Sequence, residues 1–165
     1  MEIKLGNKTI SKSSPTYFIA DIAANHDGSL ARAIKLINLA KESGADAVKF
    51  QHHNVAKYVS DFGFKRLGGK LSHQKKWKKS IFEVYKDAEV PRKWTKTLVG
   101  HCRKINIKFM STPYDLDTVD YLDKFLPAFK IGSGDLAWDD MIKKILSKKK
   151  PFFSRNWCLN TIRSR

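Results

Sequence analysis

Residues 17–51 read YFIADIAANHDGSLARAIKLINLAKESGADAVKFQ, and the alternation within them sets the fold class. Tyr17 to Ala23 is a short apolar run closed by the turn cluster ANHDGS. Ser29 is placed to cap a helix over LARAIKLINLAKESG, in which Leu30, Ala33, Ile34, Ile37 and Ala40 recur at helical spacing. Gly44 closes that helix, because a residue without Cβ enters the left-handed region at little steric cost. Asp46 to Gln51 is the next apolar run. A strand, a helix and a strand in this order form a crossover unit with parallel strands.

The pattern repeats outward from there. A long connection runs from His52 to Val90; it contains one helix, KKSIFEVYKDA, and a loop over YVSDFGFKRLGGKLSHQ. Pro91 suits a first helical position, and Trp94, Leu98, Cys102 and Ile105 form one apolar stripe behind it. IKFMST is the third strand, and DLDTVDYLDKF a short helix with Leu116, Val119, Leu122 and Phe125 inward. AFKIGSG is the fourth strand. AWDDMIKKILSKK is a helix with Trp138, Met141, Ile142 and Ile145 inward, and PFF opens a fifth strand. Pattern alone admits both an open doubly wound sheet and a (β/α)8 barrel.

Composition bounds the partners. Lys and Arg number 32 against 16 Asp and Glu, a formal charge of +16 that favours anionic ligands. The lysines are scattered, as in HQKKWKKS and SKKKP, and carry no nucleic-acid motif, so neither DNA nor RNA is an expected partner. Cys102 and Cys158 have no metal or redox spacing, which fits a reducing, cytoplasmic setting. MEIKLGNKTI has no apolar core of a signal segment, and no run is long enough to span a membrane.

In parallel α/β folds, ligands bind beyond the carboxyl ends of the strands. Strand one ends in Asp21 and leads to Asn25, His26 and Asp27. Strand two carries Lys49 and Gln51, then His52 and His53. Strand three ends Ser111, Thr112, Pro113; strand four carries Lys130 and ends Gly132, Ser133, Gly134, Asp135. Lysine inside an apolar strand is costly unless paired. Hydroxyls and glycine-exposed N–H groups beside such lysines suit a small polyanion. Each feature singly has a structural explanation: a snorkelling lysine, a common turn, a helix cap. Four successive strand ends of this kind favour a site. His52 and His53, adjacent in an extended segment, face opposite ways and make a poor pair of ligands. No H-E-x-x-H or comparable metal signature occurs.

FIADIAANHDGSL, SGADAVKFQ, FMSTPYD and AFKIGSGD, in this order, closely resemble motifs of the N-acetylneuraminate (sialic acid) synthase family, with its pseudaminic and legionaminic acid synthase relatives. The resemblance runs from about Tyr17 to Phe153. It implies a (β/α)8 TIM-barrel type fold, here an incomplete barrel of about four βα units plus the start of a fifth strand. It implies condensation of phosphoenolpyruvate with an N-acetylated sugar to a nine-carbon 2-keto acid with release of phosphate. Lys49, Thr112, Lys130 and Ser133 match phosphoenolpyruvate contacts. Asp21 stands where many members carry Glu and, with Lys49, is the catalytic candidate. Asn25, His26 and Gln51 fall on the acceptor side. Family members use a divalent metal (Mn2+ or Mg2+) and are typically homodimers, but their metal-binding histidines come from later strands and have no counterpart here.

After Phe153 the family's Ser/Ala-Thr-Gly motif gives way to SRNWCLNTIRSR. The expectation is therefore a barrel segment over residues 1–153, a divergent tail over 154–165, and a truncated synthase without turnover of its own. The competing expectation is a non-catalytic interaction fragment that needs a partner chain.

Overall fold

The computed structural model describes residues 2–5, 8–66 and 77–154. Five parallel strands form one sheet: β3 (Ile19–Ala23), β4 (Ala47–His52), β5 (Lys108–Pro113), β6 (Phe129–Lys130) and β7 (Phe152–Phe153), neighbours in chain order. A doubly wound sheet reverses its strand order at a switch point and covers both faces with helices. Sequential order instead sends each right-handed crossover to the same side. The helices α1 (Leu30–Glu42), α5 (Arg92–Lys104), α6 (Leu116–Asp123) and α7 (Asp139–Leu146) supply those crossovers. The result is an incomplete barrel with one helix-covered face and one inner face.

Alternation along the strands sorts the side chains. Val48 and Phe50 of β4, Phe109 of β5 and Phe129 of β6 join Ile37, Leu98, Leu122 and Ile145 of the helices in the main core. Ala47, Met110 and Ala128 point the other way and join Leu5 in a second, smaller cluster. Leu5 comes from a hairpin of β1 (Ile3–Leu5) and β2 (Lys8–Ile10), which the sequence reading did not anticipate. That hairpin is anchored by an ion pair between Lys8 and Asp46. Asp46 also accepts a 2.8 Å hydrogen bond from the Phe18 N–H. The Lys8 ammonium, then the Phe18 N–H, hold the Asp46 carboxyl below the usual carboxylate range.

Local chemistry explains the element ends. Ser29 Oγ accepts from the Arg32 N–H at 3.2 Å, capping α1, and Gly44 takes φ +83° after it. Asp115 caps α6 through both oxygens, at 2.9 Å from Thr118 N and 2.6 Å from Thr118 Oγ1. Helix α4 (Ile81–Asp87) begins with a capping box of Ser80 and Glu83.

Three expectations need correction. The loop expected over residues 58–74 contains helix within its described part: α2 (Val55–Tyr58) reaches its start and α3 (Asp61–Arg66) lies inside it. Asn54 Oδ1 caps α2, and Ser60 Oγ accepts from Gly63 N at 3.0 Å to start α3. Residues 67–74 of that loop lie outside the described residues, as does the tail beyond Ser154. The fourth strand, expected over residues 128–134, is only Phe129–Lys130. The chain folds into a 3-10 turn, Ser133–Ala137, begun by the 3.1 Å bond from Asp135 N to Gly132 O. That turn also takes Ala137 from the expected last helix, which starts at Asp139 and ends at Leu146.

His52 lies on the helix-covered side. Its Nδ1 is 2.8 Å from Ser111 Oγ and its Nε2 2.9 Å from Thr95 Oγ1, so it bridges β4, β5 and α5. Burial, with lesser contributions from His53 and Arg92, pushes its pKa down to about 3. His52 therefore stays neutral in the folded chain while the unfolded chain takes up a proton near pH 6.5. Stability is fully present above pH 6.5 and falls as the pH drops from there towards 3, by about 1.4 kcal/mol per pH unit in the steepest range. His26, also held low by burial, adds to the loss in the same direction. Urea unfolding at pH 7.0 and 5.0 should show a clearly shallower pH dependence for His52→Gln than for the parent chain. A second outcome follows from the core: Phe50→Ala, at a fully buried position, should lower unfolding free energy by about 3–5 kcal/mol in the same titration at pH 7.

Candidate active site

The inner face changes character along the strands. Its amino end is the apolar cluster of Leu5, Ala47, Met110 and Ala128. Two residues further along, alternation brings Asp21, Lys49, Gln51, Thr112 and Lys130 to the same face at the carboxyl end. Lys49 is buried, and its Nζ lies 3.0 Å from Asp21 Oδ1 on the neighbouring strand. The two are register partners, so the pair is set by strand alignment. The Lys49 side chain is 10% exposed and that of Asp21 60%, which leaves the carboxylate reachable from solvent and the ammonium at the floor.

Thr112 is 1% exposed and is the register partner of Gln51. Lys130 Nζ donates to the Ile131 carbonyl at 2.8 Å. Ser133 opens the 3-10 turn that follows β6. Asp135 packs closely against Gly132: a Cβ there would stand 2.6 Å from Asp135 Oδ2, so a larger residue would displace that carboxyl. Asp135 thus folds back over the turn, and burial raises its pKa above the usual carboxylate value. A carboxyl so placed holds its proton to higher pH than an ordinary aspartic acid. In the sequence, Asp135 is marked only as the last residue of GSGD.

The strand carrying Asp21 ends irregularly. Its register with β4 shifts between Asp21 and Ala23, and Ala23 adopts φ 50°. A non-glycine residue there is strained, and a bulge of this kind re-aims side chains at a strand end.

The acceptor-side candidates separate. Gln51 belongs to the polar cluster, and its Nε2 donates to Tyr114 Oη at 3.0 Å. Asn25 is exposed; its Nδ2 donates to the Ile22 carbonyl at 2.9 Å, and its own carbonyl accepts from Arg32 Nε at 2.8 Å. His26 is fully buried, edge-on to Trp94 with ring centroids 5.6 Å apart. Its Nδ1 accepts from the Gly28 N–H at 3.1 Å, and Nε2 makes no hydrogen bond of ordinary geometry among the described residues. Burial holds its pKa low, opposed by the Ala88 backbone and the Asp27 carboxylate. Of the two strand-three hydroxyls, Ser111 turns to His52 and the helices, and also donates to the Phe50 carbonyl at 3.2 Å.

Gln51 also borders a cleft of ≈ 270 Å³ that the sequence reading left unassigned. Its wall includes His53, Tyr58, Tyr85 and Tyr114. These rings pack edge-on or tilted, with centroids 5.1 Å apart for Tyr58 and Tyr114 and 5.6 Å for Tyr58 and Tyr85. His53 is fixed by a 2.9 Å bond from its Nε2 to the Tyr85 carbonyl. Burial pushes the Tyr58 hydroxyl up to about 12 and that of Tyr114 higher still, so both are neutral donors at physiological pH.

Among the described residues, no three His, Cys, Asp or Glu side chains are grouped to hold a metal ion. They do not form the cation site that the family resemblance implies, and no step below runs through one. No helix among the described residues is long and apolar enough to cross a membrane.

Comparison with known proteins agrees with the sequence motifs. The spore coat polysaccharide biosynthesis protein SpsE of Bacillus subtilis is 36% identical over 151 residues, covering 90% of this chain and 39% of that protein. The N,N'-diacetyllegionaminic acid synthase of Campylobacter jejuni is 37% identical over 139 residues, covering 82% of this chain and 40% of the other. The chain thus spans about two fifths of the length of these curated relatives. The crystal structure of the Bacillus subtilis SpsE superposes with a TM-score of 0.72 at 32% identity, over 93% of this chain and 39% of that one. Residues 36–154 match the NeuB family, which is most of the chain, and the chain belongs to that family of sialic and related nonulosonic acid synthases.

Proposed function

We propose that the polar end of the inner face binds phosphoenolpyruvate for condensation with an N-acetylated sugar, N-acetylmannosamine or a similar aldose. The product is a nine-carbon 2-keto acid, and phosphate is released. The observation that carries this reading is the buried Lys49 ammonium, paired with Asp21 at 3.0 Å and joined on one sheet face by Thr112 and Lys130. An apolar protein interior keeps a charged lysine only beside an opposite charge. Asp21 supplies that charge without ligand, and an incoming phosphate or carboxylate supplies it with ligand.

The roles follow from position. Lys49 and Lys130 neutralise the anion, and the Thr112 and Ser133 hydroxyls donate to its oxygens. The turn after Gly132 adds backbone N–H groups. Asp21, released from Lys49 as the anion arrives, is exposed enough to meet the acceptor and exchange a proton with it. Asp135, in the turn after β6 and with its pKa raised by burial, is a second candidate proton carrier. In the reaction, C3 of phosphoenolpyruvate forms a bond to the aldehyde carbon, whose oxygen gains a proton. Water adds at C2, and the C–O bond to phosphate breaks.

Calorimetric titration of phosphoenolpyruvate into the chain at low salt tests the site. Saturable binding is expected, and Lys49→Met should weaken it about tenfold or more, the usual effect of losing a hydrogen bond to a charged group. Equal affinity in the variant would overturn the assignment. With five strands and no metal cluster among the described residues, binding without turnover is expected. A phosphate-release assay with phosphoenolpyruvate, Mn2+ and N-acetylmannosamine checks this, and robust release by the chain would contradict it.

One observation favours the second reading, a fragment that works through a partner chain. Among the described residues β3 and β7 each have one strand neighbour, and Phe18 and Phe152 beside them are exposed. Open edges invite pairing with another chain. Light scattering on the chromatographed protein should then report a mass above 18.9 kDa; a stable monomer would remove this reading.

A further inference from the structure

The inner face of the sheet does not end at Thr112. The Tyr114 N–H donates to the His52 carbonyl at 3.1 Å, so the β4–β5 ladder runs one residue past Pro113. Alternation then places Tyr114 beyond Thr112 on the side of Lys49 and Gln51. Two elements meet at its ring. Its Oη lies 3.0 Å from the Gln51 side-chain amide of β4, a contact that a hydroxyl makes equally as donor or acceptor. Its Cε1 lies 3.7 Å from the place a Cβ would take on Gly132, which is ordinary van der Waals contact with the turn after β6. Tyr58 and His53 pack against the same ring, with centroids 5.1 and 6.1 Å away. Burial, then Tyr58, Asp135 and Asp21, keep the hydroxyl protonated, which puts both carboxylates within electrostatic reach of this one side chain.

The turn needs a support of this kind. β6 spans Phe129–Lys130, and the ladder bond from Ile131 N to Phe153 O at 2.8 Å comes next. From Gly132 onward the chain leaves the sheet. Asp135 N donates to Gly132 O at 3.1 Å and Trp138 N to Asp135 O at 3.0 Å, and both bonds are local to the turn. Leu136 packs on the main core at its far end. At its near end Gly132 has no side chain, and the space a Cβ would fill is bounded by the Asp135 carboxyl and the Tyr114 ring.

We propose that Tyr114 is a positioning residue for the anion site: its ring holds the Gly132–Asp135 turn in the shape that presents Ser133 and the turn's N–H groups, and its hydroxyl ties that ring to Gln51 on β4. The proposal rests on the phosphoenolpyruvate reading for the identity of the anion, but the order of the turn is measurable without ligand.

Phosphoenolpyruvate is titrated calorimetrically into the parent chain, Tyr114→Phe and Tyr114→Ala, with amide hydrogen exchange at the Asp135 N–H reporting the order of the turn. Tyr114→Ala should bind about tenfold more weakly, because the ligand must then order the turn itself, and should exchange Asp135 faster. Tyr114→Phe keeps the ring and should restore both readings to within about threefold of the parent. A residue that only fills the wall would lower stability against urea and leave the affinity of the folded chain unchanged. Unchanged affinity in Tyr114→Ala, weaker affinity with unchanged exchange, or an equal loss in Tyr114→Phe overturns the proposal. Where Tyr114→Ala does not fold, Tyr114→Leu, apolar but without the ring, is read by the same criteria. If the parent chain binds no phosphoenolpyruvate, the anion reading falls and the exchange rates alone decide on Tyr114. Faster exchange in Tyr114→Ala with parent-like exchange in Tyr114→Phe then upholds its hold on the turn, and equal rates in all three chains overturn it.

Discussion

The Lys49 ammonium can be accommodated on only one side of its strand. On the inner face it meets Asp21 of the adjoining strand at 3.0 Å; on the other face it would enter the layer of Phe50, Phe109 and Leu98. A slip of one residue in the β3–β4 register would exchange these two faces, because side chains alternate with period two. The ion pair and the apolar layer thus specify the same alignment. Once β4 is set, its partnership with β5 carries Thr112 to the Lys49 side and Ser111 to the His52 side.

That division separates polar groups closed into the helix-covered layer from polar groups on the inner face. His52, Ser111 and Thr95 satisfy one another in the helix-covered layer and are closed to solvent. Asp21, Lys49, Gln51, Thr112 and Lys130 share the opposite face, whose amino end is sealed by the hairpin residue Leu5. A floor of this kind excludes water below the charged groups and strengthens their field above it. The strain at Ala23, directly after Asp21 and Ile22, lies at the rim of this cluster. Backbone of this sort is held in place by the packed layers beneath it.

Much of this was legible in the chain. The 3.6-residue stripe through Leu30, Ala33, Ile37 and Ala40, and the apolar run containing Lys49, are local patterns, and each became the element it signalled. The four strand-end motifs marked the family and the inner-face candidates in order. Asp115 was less legible as a cap, because the preceding Ser111-Thr112-Pro113 offered closer-looking hydroxyls that went instead to the strand. The early end of β6 was also hidden: nothing in AFKIGSG separates a strand that continues from one that breaks at Gly132 to admit Asp135.

Sequence by itself determined the parallel α/β class, the family and the residue types of the polar inner-face cluster, because strand and helix periodicity and short motifs are properties of neighbouring residues. Periodicity left barrel and doubly wound sheet both open, because strand order depends on which side each crossover takes; the family motifs implied the barrel, and the sequential strand order agrees with it. Only the tertiary structure decided that Ser111 and His26 are buried among packed side chains while Gln51 opens to a cleft. Tyr58, Tyr85 and Tyr114 are far apart along the chain and meet only where α2, α4 and the end of β5 converge. No local pattern records that meeting, because it is set by long-range packing across the inner face.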